Sequence, residues 1–147
     1  MPLRYLSAIL FATVFLAVSA CGDERGPALD APQALALAQD GKLVLIDIRR
    51  PEEWRQTGVA SGALRINMAH PRGAAGFVSQ VEAELGGDRD KPIGLICRTG
   101  NRTTRMQQAL REAGFTQVYN IREGMAGSSA GPGWIARGLP VEPCRNC

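Results

Sequence analysis

Two short apolar runs, Leu43 to Ile48 and Ile93-Gly94-Leu95-Ile96, constrain the fold more than any other feature of the chain. Neither alternates apolar with polar residues, so both faces of each must be covered, which is the pattern of interior strands in a parallel sheet. Segments with helical spacing lie before, between and after them. Asp30 reads as an N-cap, with Pro32 in the first turn, Gln33 three residues on, Leu35 and Ala38 facing inward and a stop at Gly41. Phe77, Val78, Val81 and Leu85 form a stripe that ends at Gly86-Gly87, and Met106, Ala109, Leu110 and Ala113 form another that ends at Gly114. Pro51 to Arg55 suggests a short helix and Ala63 to Ile66 a second short strand. Strands alternating with helices predict an α/β fold, a parallel sheet with helices on both faces. Gly124 to Gly133 reads as flexible by composition, and there is no internal repeat.

The chain has 147 residues, enough for one domain. Arg4 followed by an uninterrupted apolar and small-residue stretch from Tyr5 to Ala20 has the layout of a secretory signal and is short for a membrane span. Val18-Ser19-Ala20-Cys21 has the form of a bacterial lipoprotein signal, with ordinary cleavage after Ala20 as the alternative. The expected organisation is a signal peptide over 1–20, a tether over 21–30 acylated at Cys21, a domain over 31–142 and a cysteine-containing tail over 143–147. The expected location is the periplasmic side of a membrane in the cell envelope. Arg4 is the only charged residue of the leader, so its loss lowers the formal charge from +3 to +2. That balance, without a basic run or interleaved aromatics, gives no argument for nucleic acid.

With Cys21 assigned to the lipid and Cys144 and Cys147 forming a neighbouring pair, Cys97 is left over. It stands where the second apolar run meets the loop Arg98-Thr99-Gly100-Asn101-Arg102, ahead of a helix expected to start near Thr103. A strand, a polar turn and a helix N-terminus in that order aim several backbone N–H groups at the sulfur and add partial positive charge. Arg98 and Arg102 can supply further donors to an anion over the loop. This is the placement of a reactive thiolate rather than a buried structural cysteine.

These residues also fall into a known order. Leu43 to Arg49 followed by Pro51, Glu53 and Trp54, then Gly58-Val59-Ala60-Ser61-Gly62-Ala63 with Asn67, then Cys97 through Thr103, then Leu110 to Phe115 and Val118-Tyr119-Asn120, resemble the successive signatures of the single-domain rhodaneses. That resemblance covers about residues 32 to 142. It implies a sulfurtransferase that carries sulfane sulfur as a persulfide on Cys97, taken from thiosulfate or a similar small anionic donor and passed to a thiol or cyanide, without metal or organic cofactor. A protein acceptor is compatible with it, as is a noncatalytic sulfur-carrier or sensor module on the same fold. Related phosphatase and arsenate-reductase members have a loop one residue longer, closed by an arginine where Thr103 stands here.

In this reading Arg98, Thr99, Gly100, Asn101, Arg102 and Thr103 bind substrate, Gly100 for its backbone shape. An exposed structural arginine is the alternative at either Arg98 or Arg102, and Arg102 is also placed to brace the loop through Asp47 or Glu53. Asp47, Arg49 and Glu53, at a strand end, read as architectural members of an ion-pair network. His70 is the only histidine and reads as an exposed loop residue, which argues against a histidine-based metal site. Cys144 and Cys147 have the spacing of a redox dithiol. Such motifs draw their reactivity from a helix N-terminus, and no helix can follow here, so a passive disulfide is expected.

Overall fold

The computed structural model describes residues 26–147; the leader and Cys21 lie outside them. Eleven elements follow in order: β1 (Ala28–Leu29), α1 (Ala31–Gln39), β2 (Val44–Asp47), α2 (Pro51–Thr57), β3 (Val59–Ala60), β4 (Leu64–Arg65), α3 (Gly73–Glu84), β5 (Ile93–Ile96), α4 (Asn101–Glu112), β6 (Val118–Ile121) and β7 (Val141–Glu142). Five strands make one parallel sheet in the order β1-β6-β5-β2-β4, so the two apolar runs, β2 and β5, are neighbours inside it. β3 and β7 form a separate antiparallel ribbon.

Side chains alternate across the sheet as strand geometry requires. Ile46, Ile93 and Leu95 meet Phe77 and Val81 of α3 and Leu110 of α4 on one face. Leu45, Ile96 and Ile121 meet Ala31 and Ala34 of α1, with Trp134, on the other. Helices therefore cover both faces, and the fold class matches the sequence expectation. On α1 the fully buried positions are Ala31 and Ala34, whereas Leu35 and Ala38, expected inward, are half-buried at the edge of that cluster. The α1 start follows the sequence pattern: Asp30 Oδ1 accepts the Gln33 N–H at 2.8 Å and Gln33 Oε1 accepts the Asp30 N–H at 3.1 Å.

Ala28–Leu29, expected within the tether, instead pairs with Asn120 and Ile121 of β6 and forms an edge of the sheet. The segment from Gly124 to Gly133, expected to be flexible, is tied down by backbone bonds from Met125 N to Cys97 O at 2.8 Å and from Ala126 N to Arg98 O at 2.9 Å. A Ser128–Gly131 bridge closes its tip. Glu123 anchors both of its ends from a buried position, accepting the Ala31 N–H at 2.7 Å, the Gly133 N–H at 2.8 Å and Arg137 Nε at 2.8 Å. Burial pushes the Glu123 carboxyl up, but Arg137 and the two backbone donors outweigh it and hold the group below its ordinary value.

Candidate active site

Cys97 follows the last residue of β5, and α4 begins four residues later at Asn101, two residues before the start expected from sequence. Gly100 makes the short turn by taking φ +86°, in the left-handed region. A Cβ there would lie 2.1 Å from the Arg122 carbonyl oxygen, so the site needs glycine for space as well as for conformation. Gly124 approaches the loop as closely from the far side, where a Cβ would lie 2.4 Å from the Arg98 carbonyl oxygen.

The Cys97 sulfur is fully buried, 0% exposed, beneath this loop. The sulfur belongs to the core cluster shared with Met106 and Leu110, a degree of burial that the reading of a reactive thiolate did not include. Of the several loop N–H groups expected to reach it, that of Gly100 does, at 3.2 Å, and the Thr103 hydroxyl lies 3.7 Å away. The N-terminal end of α4 brings both, because the turn closes directly onto the sulfur.

The six loop residues expected to bind substrate divide into two groups. Arg98 and Asn101 are exposed, Thr99 is half-buried, and Thr99, Gly100 and Asn101 line a cleft of about 460 Å³ with Arg122 and Ser128. Thr103 and Arg102 are turned to the interior. The Thr103 hydroxyl lies 2.7 Å from both the Gly100 carbonyl oxygen and Asn120 Oδ1 and is not free for a ligand in the cleft. Arg102 donates from Nη1 and Nη2 to the two Glu53 oxygens, each at 2.6 Å, so it braces the loop against α2. Between the alternatives the sequence left open for Arg102, the geometry selects bracing through Glu53.

Asp47, Arg49 and Glu53, expected in one ion-pair network, fall into two pairs, Asp47 with Arg49 and Glu53 with Arg102. Arg49 grips the Asp47 carboxylate through Nε and Nη2, at 2.9 and 2.7 Å, with both residues buried. It then donates to the Gly58 carbonyl at 2.7 Å and the Thr57 hydroxyl at 2.8 Å, which fixes the end of α2. Glu53 Oε2 also accepts the Arg50 N–H at 3.0 Å at the start of that helix. The Arg102 guanidinium, followed by the Arg50 N–H and the charge of Arg49, overcomes burial and lowers the Glu53 carboxyl from 4.5 to about 2. Arg102 is raised in turn, chiefly by its bonds to Glu53 and further by the nearby Cys97 sulfur.

Sequence reasoning gave no site role to Asn120, Gln107 or Glu123, all buried. Asn120, the third residue of an apolar strand, offered a signal, since a buried amide in a parallel strand needs partners, here Thr103 and Thr104 Oγ1 at 3.0 Å. His70 is half-buried rather than exposed, and its Nδ1 accepts the Arg72 N–H at 3.1 Å. Cys144 and Cys147 are joined as a disulfide. Among the described residues no group of three or more His, Cys, Asp or Glu is placed to hold a metal.

A cysteine at the C-terminal end of an interior parallel strand, roofed by a tight loop that runs into a helix, defines a class of site within α/β proteins. The chain belongs to the rhodanese family: the model of the rhodanese-like domain matches residues 30–130. It is 35% identical over 103 residues to thiosulfate sulfurtransferase 16, chloroplastic, of Arabidopsis thaliana, covering 66% of this chain and 78% of that protein. It is 28% identical over 109 residues to the uncharacterized protein YibN of Escherichia coli K12, covering 74% and 67%. Among solved structures it is similar to the polysulfide-sulfur transferase homodimer of Wolinella succinogenes, with a TM-score of 0.62 at 28% identity, covering 80% of this chain and 79% of that one. It is also similar to a thiosulfate sulfurtransferase from Pseudomonas aeruginosa, with a TM-score of 0.62 at 26% identity, over 79% of this chain and 20% of that one.

The Glu53–Arg102 pair has a pH signature. A carboxyl lowered in the folded state contributes stability that is complete above its unfolded value, near 4.5, and is lost as the pH falls towards about 2. Glu53→Gln should cost roughly 1–2 kcal/mol at pH 7, a figure discounted for the partial exposure of the pair, and very little near pH 2. Urea unfolding of both proteins across that range checks it. A difference that does not shrink on acidification would refute the assignment.

Proposed function

We propose that the protein is a sulfurtransferase that moves sulfane sulfur from thiosulfate or a similar small anionic donor to a thiol or cyanide through a persulfide on Cys97. The observation that carries the reading is the Cys97 sulfur itself, at the end of β5, with the Gly100 N–H at 3.2 Å and the Glu53–Arg102 pair bracing the loop over it. The named activities of the Arabidopsis and Pseudomonas relatives support it. In the first half-reaction the Cys97 thiolate attacks the outer sulfur of thiosulfate, the S–S bond breaks and sulfite leaves with its electron pair. In the second, an acceptor thiolate or cyanide takes the outer sulfur and returns the electron pair to Cys97. The Gly100 N–H and the Arg102 guanidinium offset the negative charge in both halves. Arg98, exposed beside the loop, is the group best placed to meet an incoming anion.

The full burial of Cys97 favours a second reading, a sulfur carrier or sensor whose site opens only against a protein partner. Free turnover separates the two. Wild type treated with thiosulfate should gain the mass of one sulfur and transfer it to cyanide over many cycles, and Cys97→Ser should do neither while keeping its fold. Loading without turnover would favour the carrier. Full activity in Cys97→Ser would sink both.

The proposed setting is a membrane surface facing the periplasm, with Cys21 acylated after removal of residues 1–20. One acyl chain binds a bilayer only marginally, so stable attachment needs the several chains of a lipoprotein. Wild type should sediment with membranes and Cys21→Ala should be released or stall before cleavage. A soluble mature form beginning at Cys21 without lipid would refute the tether.

A further inference from the structure

The terminal disulfide lies in a different environment from Cys97. Cys144 is buried in a small cluster with Trp54 of α2 and Val59 of β3, separate from the core cluster that holds Cys97. Cys147 is half-buried. Arg65, from edge strand β4, turns its guanidinium onto the pair, and Nη1 lies 2.7 Å from Cys144 Sγ and 3.2 Å from Cys147 Sγ. A passive cross-link has no need of a cation, since a disulfide is neutral and a weak acceptor. The same cluster holds Trp54, whose buried indole N–H has no hydrogen-bond partner among the described residues.

We propose that Cys144–Cys147 is a thiol–disulfide exchange site that takes an electron pair from an external dithiol, with Arg65 stabilising Cys144 as the departing thiolate. The sequence argument against redox activity was the lack of a helix N-terminus to supply positive charge; Arg65 supplies it from elsewhere in the fold. One thiolate of the dithiol attacks the more accessible Cys147 Sγ. The Cys144–Cys147 bond breaks and its electron pair stays on Cys144, beside the guanidinium. The second thiolate of the dithiol then attacks its own sulfur in the mixed disulfide, closing an external disulfide and releasing Cys147, which takes up a proton. The dithiol is oxidised by two electrons and the terminal pair reduced by two. A leaving thiol stabilised as its anion leaves faster, so the guanidinium acts on the rate. Glu142 is the competing charge near Arg65, but its carboxylate is engaged by the Ser61 hydroxyl at 2.6 Å and the Gly62 N–H at 3.0 Å.

The test uses the full chain with dithiothreitol as the dithiol, acid quenching, alkylation and peptide masses that report Cys144 and Cys147 alone. The folded wild-type pair should be reduced faster than the same pair in urea-unfolded chain. Arg65→Met should slow the folded rate roughly tenfold, and Arg65→Lys should retain most of it. A monothiol should be trapped as a mixed disulfide on Cys147. Equal rates in wild type and Arg65→Met, or a folded pair reduced more slowly than the unfolded one, would overturn the proposal and leave a structural cross-link. The folded-to-unfolded comparison needs no variant, so a misfolded Arg65→Met would not rescue or condemn it. None of these readouts depends on Cys97 carrying sulfur.

Discussion

Asp47 and Arg49 meet in the interior at the C-terminal end of β2, and the arrangement of the site follows outward from that contact. Burying two charges is costly, and the cost is offset only when their remaining donors and acceptors are also satisfied. Arg49 meets the condition by reaching past Asp47 to the Gly58 carbonyl and the Thr57 hydroxyl, so the end of α2 is specified by the needs of a buried guanidinium. With α2 fixed, Glu53 is fixed, and Glu53 is the anchor that receives Arg102 from the loop. Arg102 then braces the loop over the Cys97 sulfur, where Gly100 completes the turn. A mutation at Asp47 would thus reach the loop over the sulfur through three successive contacts.

The opposite wall of the loop is built from backbone. Met125 and Ala126 donate to the Cys97 and Arg98 carbonyls, and Gly124 approaches Arg98 at a distance that no larger residue could adopt. The sulfur therefore lies between a side-chain brace on α2 and a backbone brace after β6. Both braces bear on the loop that covers the sulfur, from α2 on one side and from the segment after β6 on the other.

Much of this was legible in the chain. The two unbroken apolar runs are interior parallel strands, Asp30 and Gln33 cap the first helix, and Cys97 stands at a strand end as read from the chain. What failed shares a physical cause. Two-residue strands such as β1, β3 and β7 are too short to show any period, so their pairing is visible only in three dimensions. Gly124 to Gly133 looked loose because composition reports local preference, whereas its order comes from Glu123 and from carbonyls nearly thirty residues upstream. For Arg102 the sequence offered a brace through Asp47 or Glu53 beside a substrate role, and the fold pairs it with Glu53, whereas the Asn120 partner of Thr103 is visible only in three dimensions. Arg65 carried no signal at all, since its partners are about eighty residues away in sequence.

The central claim is that Cys97 holds the travelling sulfur inside a loop braced by Glu53 and Arg102. A crystal structure of protein treated with thiosulfate addresses it most directly. One additional sulfur atom bonded to Cys97 Sγ, enclosed by the loop N–H groups with the Glu53–Arg102 pair still formed, is the expected result. An unmodified Cys97 in crystals of protein whose mass shows that sulfur was taken up elsewhere would contradict it.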